Sequence, residues 1–115
     1  MRGAKTPQLN RLLRLETPVR TPDGAGGSRV EWQELGQVWA QIEARSGRVG
    51  RGDAGDLAQI TLRILVRALP QNAPLRPRPD QRFCEGNRVF RILAVADHDQ
   101  AGRYLMCFAK EEVVA

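Results

Sequence analysis

Few residues of this chain have the chemistry for catalysis or metal binding. His98 is the only histidine, Cys84 and Cys107 are the only cysteines, and no CxxC pair occurs, so we do not expect a four-ligand zinc site. The run Asp97-His98-Asp99 places two carboxylates beside the imidazole. Alternate residues at a strand end can share a metal ion, but Asp and His also populate polar turns, and the turn is the favoured interpretation. We therefore predict no metal.

A glycine-rich stretch is the second candidate for chemistry. Residues 50–55 (GRGDAG) match the GxGxxG pattern of dinucleotide-binding proteins, which requires a helix to begin at that point. The residues that follow alternate as in a strand, so we expect a loop and no cofactor. The chain contains no GxSxG, P-loop or HExxH motif, and we predict that it is not an enzyme.

The elements that would position any site are predicted to be strands, because hydrophobic residues recur with period two. In Ala58–Ala68 (AQITLRILVRA) the even positions are apolar and the odd positions are polar, except Leu65. Gln37–Arg45 (QVWAQIEAR) alternates in the same way, and this parity places Trp39 on the polar face. A shorter strand is predicted at Arg11–Thr17, ended by Pro18. Further strands are predicted at 29–33, 82–85, 88–95 and 103–109.

Three segments between these strands carry turn and loop residues. Residues 21–28 (TPDGAGGS) are typical of a hairpin connection, residues 46–56 (SGRVGRGDAGD) are longer and glycine-rich, and residues 70–79 (PQNAPLRPRP) are expected to be extended. The pattern predicts an all-β fold: one domain over residues 1–115, built as a small β-barrel or sandwich of five to seven strands. A long mobile loop is expected at about 46–56.

Composition limits the partners. The chain has 115 residues and a formal net charge of +5, and no apolar run approaches the ~20 residues of a membrane helix, so no membrane contact is expected. Arg76, Arg78, Arg82, Arg88 and Arg91 form the densest basic stretch. This stretch either meets phosphates or an acidic protein rim, or it keeps a strand edge from aggregating. The strand at 88–95 has apolar residues on both parities, which predicts an outer face covered by a partner chain.

The order of these pieces resembles the head-tail joining family of tailed phages, also called head-closure or stopper proteins, which has relatives in gene transfer agents and prophages. The matching pieces run from Leu9 to Glu112 and are RLLRLETP, the hairpin PDGAGG leading to Trp32, VWAQIEARSGR, ITLR, FCEGNRVFRI and YLMCFAKE. Val49 stands where the family often has Glu, and Ile64 where an aromatic residue is common.

This resemblance implies a structural head-tail connector of a virion or phage-like particle, assembled in the bacterial cytoplasm. It would form a homo-oligomeric ring between the portal-side adaptor protein and the tail terminator or tail tube protein. In some relatives a long loop reaches the lumen and helps to retain packaged double-stranded DNA, which is contacted without reading its sequence. The residues expected at this gate are Arg45, Arg48, Arg51, Asp53 and Asp56. The residues expected at subunit or partner interfaces are Trp39, Arg63, Arg67, Phe83 and Arg91.

An alternative interpretation is a small nucleic-acid-binding β-barrel of the oligonucleotide-binding type. Such a protein would be a monomer that binds single strands with steep salt dependence, whereas a connector would form rings with its partners. Size-exclusion chromatography with and without a portal or tail partner separates the two interpretations.

Overall fold

The computed structural model describes the backbone of residues 6–52 and 55–112, and the side chains of residues 6–44 and 60–112. All regular elements in these residues are strands: β1 Arg11–Pro22, β2 Ser28–Gly52, β3 Gly55–Arg67, β4 Arg82–Glu85, β5 Arg88–Asp97 and β6 Tyr104–Glu112. Within the same residues there is no helix with the length and apolarity of a membrane span.

The six strands form one closed antiparallel barrel in the order β1-β2-β3-β6-β5-β4. Pairing of β1 with both β2 and β4 completes the circle. Closure pairs the backbone groups that an open sheet would leave at its edges. The all-β fold predicted from the period-two alternation is confirmed.

The barrel core consists of the side chains that the alternation assigned to one face. Leu62, Ile64 and Val66 of β3 are at most 2% exposed. The buried side chains that they join from the other strands are Leu13, Leu15, Ala40, Phe83, Phe90, Ile92, Leu105, Cys107 and Ala109. Burial of each large apolar side chain contributes roughly 1.5–3 kcal/mol, so this cluster drives closure.

β2 is one continuous strand where the alternation indicated two. A bulge at Leu35 joins the two parts: Leu15 pairs with Gly36 but Glu16 pairs with Glu34, so one extra residue shifts the alternation. A Cβ at Gly36 would lie 2.7 Å from Leu75 Cδ2, and the Gly36 φ is +154°. Glycine is therefore required where the bulge passes under Leu75.

β1 runs past Pro18 to Pro22, so the prediction that Pro18 ends this strand is wrong. β4 pairs with β1 only from Arg14 to Glu16, and beyond that point β1 pairs with β2 alone among the described residues. Proline is tolerated on a strand with one open side, because the missing N–H there costs no ladder hydrogen bond.

Two hairpins extend beyond the barrel from the two ends of β2. The first arm, residues 17–33, lies beyond the last pair between β1 and β4. Its turn is held by Asp23, whose Oδ1 accepts hydrogen bonds from the N–H groups of Ala25 and Gly27. The second arm, residues 45–60, lies beyond the last pair between β3 and β6, at Thr61. The radius of gyration is 16.3 Å, above the ~13 Å of a compact chain of this length, as expected for a barrel with arms.

The second arm replaces the structureless loop that was predicted at 46–56. Ser46 pairs with Ile60, and the pairing continues to Gly52 and Gly55 after a register shift. The alternation rule missed these strands because four of the residues from 46 to 56 are glycines, which have no side chain to show a pattern. Asp53 and Ala54 lie outside the described residues. Mobility of this segment stays a prediction.

The proline-rich segment 70–79 is folded into turns, not extended as predicted. The N–H groups of Ala73 and Arg76 donate to the carbonyls of Pro70 and Ala73. Pro77 is fully buried, and Leu75 packs against the core. The segment therefore covers the barrel end from which the first arm extends.

Candidate functional site

The outer side of β1 and β2 presents two exposed apolar residues, Leu12 and Trp39. Trp39 is 55% exposed and lies opposite Leu12 of β1, which is 40% exposed. Both have the parity that points away from the core, as the alternation predicted for Trp39. We call this surface, together with Arg63 and Arg67 of β3, the Trp39 face.

The arginines of the Trp39 face lie over aromatic rings of β6. The Cζ atom of Arg63 is 5.9 Å from the ring centroid of Phe108, and that of Arg67 is 5.7 Å from the ring centroid of Tyr104. Such cation–π contacts contribute ~0.5–1 kcal/mol at exposed sites and orient the planar guanidinium groups. Trp, Tyr and Arg are the residues that most often dominate binding at protein interfaces.

A pocket of 220 Å³ opens beside Trp39. Its lining residues are Leu9, Val38, Trp39, Val66, Arg67, Leu69 and Leu75. The N-terminal segment forms one wall, because the Gln8 N–H donates to Gln41 Oε1 at 2.8 Å. Pockets for small molecules usually exceed ~300 Å³, so this apolar pocket is better suited to one side chain of a partner than to a cofactor.

Trp32, on the first arm, has a different environment. The Cζ atoms of Arg82 and Arg91 lie 4.1 Å and 5.9 Å from its ring centroid. Arg82 Nε also donates to Glu16 Oε1 at 2.7 Å, and Arg91 Nη1 lies 3.5 Å from Glu112 Oε2. We call this group the Trp32 cluster. It holds the base of the first arm against β4 and β5, and its charges are paired within the chain.

The pKa of Glu16 reflects its place in the Trp32 cluster. Partial burial raises this pKa, but hydrogen bonds from Arg82 and Cys84 and the charges of Arg82 and Arg14 outweigh burial and leave the pKa below its ordinary value of 4.5. The carboxylate is therefore ionised at neutral pH. Burial, followed by the charge of Glu16, raises the pKa of the Cys84 thiol, which stays protonated.

A second set of ion pairs covers the barrel end from which the second arm extends. Arg11 donates to Glu85 at 2.6 and 2.7 Å, and Arg88 donates to Glu111 at 2.9 and 3.0 Å. Hydrogen bonds from these guanidinium groups lower the pKa of both carboxyl groups.

The dense basic stretch is engaged within the chain, which favours its structural interpretation over phosphate binding. The acceptors are the Leu69 carbonyl for Arg76, the Gln71 carbonyl for Arg78, Glu16 for Arg82, Glu111 for Arg88 and Glu112 for Arg91.

At the β5–β6 turn, Asp99 Oδ1 accepts a hydrogen bond from the Arg103 N–H at 3.0 Å, as expected of a turn residue. Among the described side chains, no three His, Cys, Asp or Glu residues are grouped to hold a metal ion.

Three of the five predicted interface residues share one surface. Trp39, Arg63 and Arg67 lie together on the Trp39 face. Arg91 belongs to the Trp32 cluster instead. Phe83 is 0% exposed, so its prediction as an interface residue is wrong: it pairs with inward-facing residues of β1 and β5 and fills the core.

The predicted gate residues lie on the second arm. The backbone of Arg45, Arg48 and Arg51 belongs to β2, and that of Asp56 belongs to β3. Asp53 lies outside the described residues. One hairpin therefore carries the described gate positions, and their contact with DNA stays a prediction.

Sequence reasoning missed Leu12 and Leu93 as surface residues. Leu93 is 51% exposed because a bulge in β5 turns it outward: Ile92 pairs with Ala109, and Ala94 with Phe108. The sequence feature that pointed to an exposed residue such as Leu93 was the presence of apolar residues at both odd and even positions of 88–95.

These features define a small closed barrel with two arms and several exposed apolar side chains on its outer surface. The family model of the phage head completion protein matches residues 4–112, and the chain therefore belongs to this family of structural virion proteins. Among solved structures, a chain from "Virion of native gene transfer agent (GTA) particle" is similar, with a TM-score of 0.78 and 55% sequence identity over 96% of this chain and 100% of that chain. A search of curated proteins finds no match. The family resemblance and the virion location expected from the sequence are confirmed.

Proposed function

We propose that this head completion protein is a head-tail connector of the head-closure type. It assembles as a ring between the portal-side adaptor and the tail, and it helps to retain packaged DNA. The observation that carries the proposal is the placement of two arms at opposite ends of β2, which suits a subunit layered between two other components. The 55% identity to a chain of a gene transfer agent virion supports the proposal.

Ring formation accounts for the exposed apolar residues. Trp39 and Leu12 remain accessible in the single chain, and a neighbouring copy would cover them. A contact between two different surfaces repeats from copy to copy, and a closed ring adds many such contacts together. Each contact can therefore be weak in solution while the assembled ring is stable.

The second arm is the element that we assign to DNA retention. Eight residues, from Arg45 to Gly52, extend roughly 25 Å at the rise of a strand, enough to reach well beyond the barrel. Arg45, Arg48 and Arg51 supply positive charge for phosphates, whose spacing is the same for every sequence. Glycine permits more backbone conformations than other residues, which suits an arm that moves aside when DNA leaves.

Charge reversal on the second arm tests this assignment. In particles assembled with Arg51→Glu, we expect less nuclease-protected DNA per particle, because a carboxylate then faces the phosphates. Arg20→Glu, an exposed change of the same charge on the first arm, is the matched control and should retain normal DNA content. Unchanged retention in Arg51→Glu particles would show that the second arm is not an electrostatic gate.

The exposed Trp39 is the observation that favours a single-strand-binding barrel, in which it would be a stacking platform. That function predicts that the isolated chain binds an oligonucleotide, with affinity that falls steeply between about 50 and 200 mM salt. Loss of this binding in Trp39→Ala, with no ring formation by the wild type beside its partners, would favour it over the connector.

A further inference from the structure

We infer that the ring contact joins the Trp39 face of one copy to a surface around Leu93 of the next copy. This surface, the Leu93 surface, consists of Leu93, Ala94 and Ala96 of β5 with Asp80 before β4. The inference rests on the proposed ring function and adds to it the two surfaces that meet.

The two surfaces lie on opposite sides of the barrel. In the strand order β1-β2-β3-β6-β5-β4, β5 is three strands from β2 in either direction. A head-to-tail contact requires two different patches that face away from each other, because each copy must use both at once. Trp39 on β2 and Leu93 on β5 meet this requirement.

The registers also place the two residues at the same height. Through β3 and β6, Ala40 is level with Val66, Leu105 and finally Asp97. Through β1 and β4, Gln37 is level with Arg14, Cys84 and finally Val89. The two routes from the Trp39 region thus reach β5 near its two ends. The strands of a closed barrel are tilted, so one route rises along the barrel axis while the other descends by the same amount. The part of β5 at the same height as Trp39 therefore lies midway between the two end points, at Ile92 and Leu93.

The chemistry of the two surfaces is complementary. Leu93 is 51% exposed, and Ala94 and Ala96 beside it are also exposed, so the surface offers one projecting aliphatic side chain on a flat apolar base. The 220 Å³ pocket beside Trp39 is apolar and of a size for one such side chain. Apolar anchors that enter a pocket are the contacts that dominate many interfaces.

Charge agrees with the same pairing. Arg67 is exposed at the rim of the Trp39 pocket. The N–H of Asp80 donates to the Ile92 carbonyl, which fixes Asp80 beside Leu93. Its side chain is 81% exposed and lies 3.6 Å from Arg91, so a second guanidinium can approach from outside. Arg67 of one copy would therefore meet Asp80 of the next.

A mixing experiment tests the pairing in solution. Trp39→Glu removes one surface and Leu93→Glu the other, and each should weaken self-association at least about tenfold in sedimentation equilibrium. An equimolar mixture should form a heterodimer, because each variant contributes its intact surface. Val30→Glu, at a side chain 43% exposed on the first arm, should associate like the wild type. Normal association of either variant, or a mixture that stays monomeric while the wild type associates, would overturn the inference.

Cross-linking in assembled particles tests the same contact irrespective of its strength in solution. Particles that contain the double variant Trp39→Cys and Leu93→Cys should give, on oxidation, a ladder of covalent species larger than a dimer. Each single variant should give none, since the native thiols of Cys84 and Cys107 are at most 2% exposed. Particles that contain the double variant but give no ladder would overturn the inference and leave the proposed function standing. Absence of the wild-type chain from particles would overturn the proposed function itself.

Discussion

The two tryptophans of this chain differ in their contacts and exposure, although both point away from the core. Trp32 lies under the guanidinium groups of Arg82 and Arg91, and those charges are paired with carboxylates of the same chain. Trp39 has one aliphatic neighbour across the strand, Leu12, and is 55% exposed. The contacts of Trp32 are thus made within one chain, whereas more than half of the Trp39 surface is exposed.

Under the proposed function, this difference separates a structural role for Trp32 from an assembly role for Trp39. A residue whose contacts are satisfied within the chain contributes to folding, and its removal leaves a vacancy in that fold. A large apolar residue that is left exposed contributes to folding little and to association much. The same residue type therefore leads to opposite expectations at positions 32 and 39.

The largest expected effect is on stability. Trp32→Ala should lower the free energy of unfolding by about 2 kcal/mol, because the indole and its two cation–π contacts are lost. Trp39→Ala should change it by less than about 0.5 kcal/mol, as for other exposed positions. Chemical denaturation followed by circular dichroism measures both. Equal losses of unfolding free energy in the two variants would show that Trp32 contributes no more to folding than Trp39.

A smaller effect is expected from acid. Glu16, Glu85 and Glu111 have pKa values lowered in the folded chain below the ordinary 4.5. The unfolded chain takes up protons first as the pH falls, so these groups stabilise the fold above about pH 4.5 and lose that contribution below it. Glu16→Gln should cost about 1 kcal/mol at neutral pH and flatten this acid dependence.

The control for the acid experiment is Asp97→Asn, an exposed carboxyl that lies opposite Leu105 in the β5–β6 register, away from Glu16. It should leave both the stability and its pH profile unchanged. Denaturation curves at a series of pH values give the comparison, and an identical profile for Glu16→Gln and the wild type would contradict the assigned role of Glu16.

The smallest effect is spectroscopic. In Trp32→Phe the remaining Trp39 should be quenched strongly by acrylamide, and in Trp39→Phe the remaining Trp32 should be quenched less, because guanidinium groups cover its ring. Association should protect Trp39 alone. Similar quenching constants for the two variants would mean that Trp32 is not shielded.

The parts of the fold that depend on side-chain polarity were predictable from the sequence. The alternation in β3 identified Leu62, Ile64 and Val66 as core residues. The parity of β2 placed Trp39 outside. Both follow from a rule that needs only local information, since successive residues of a strand point to opposite faces.

The parts that depend on register or on distant partners were not predictable. The bulges at Leu35 and Leu93 each shift the alternation by one residue, and even the apolar residues on both parities of 88–95 do not show at which residue the shift falls. The partner of Arg82 is Glu16, 66 positions away, so the Trp32 cluster appears only after closure. Phe83 is of a residue type that is common at interfaces. β4 has only four residues, which are too few for an alternation to show that the Phe83 side chain points inward.

One consequence concerns the length of β2. The strand is continuous from Ser28 to Gly52, so both arms belong to a single run of backbone. Insertion of one residue between Val38 and Ile42 would turn every later side chain of β2 to the opposite face of the strand. The inward and outward positions of the second arm would then be exchanged, while those of the first arm would stay unchanged. The middle of β2 thus acts as a spacer that sets which faces the two arms present relative to each other. Tolerated changes in the length of this spacer should therefore come in steps of two residues.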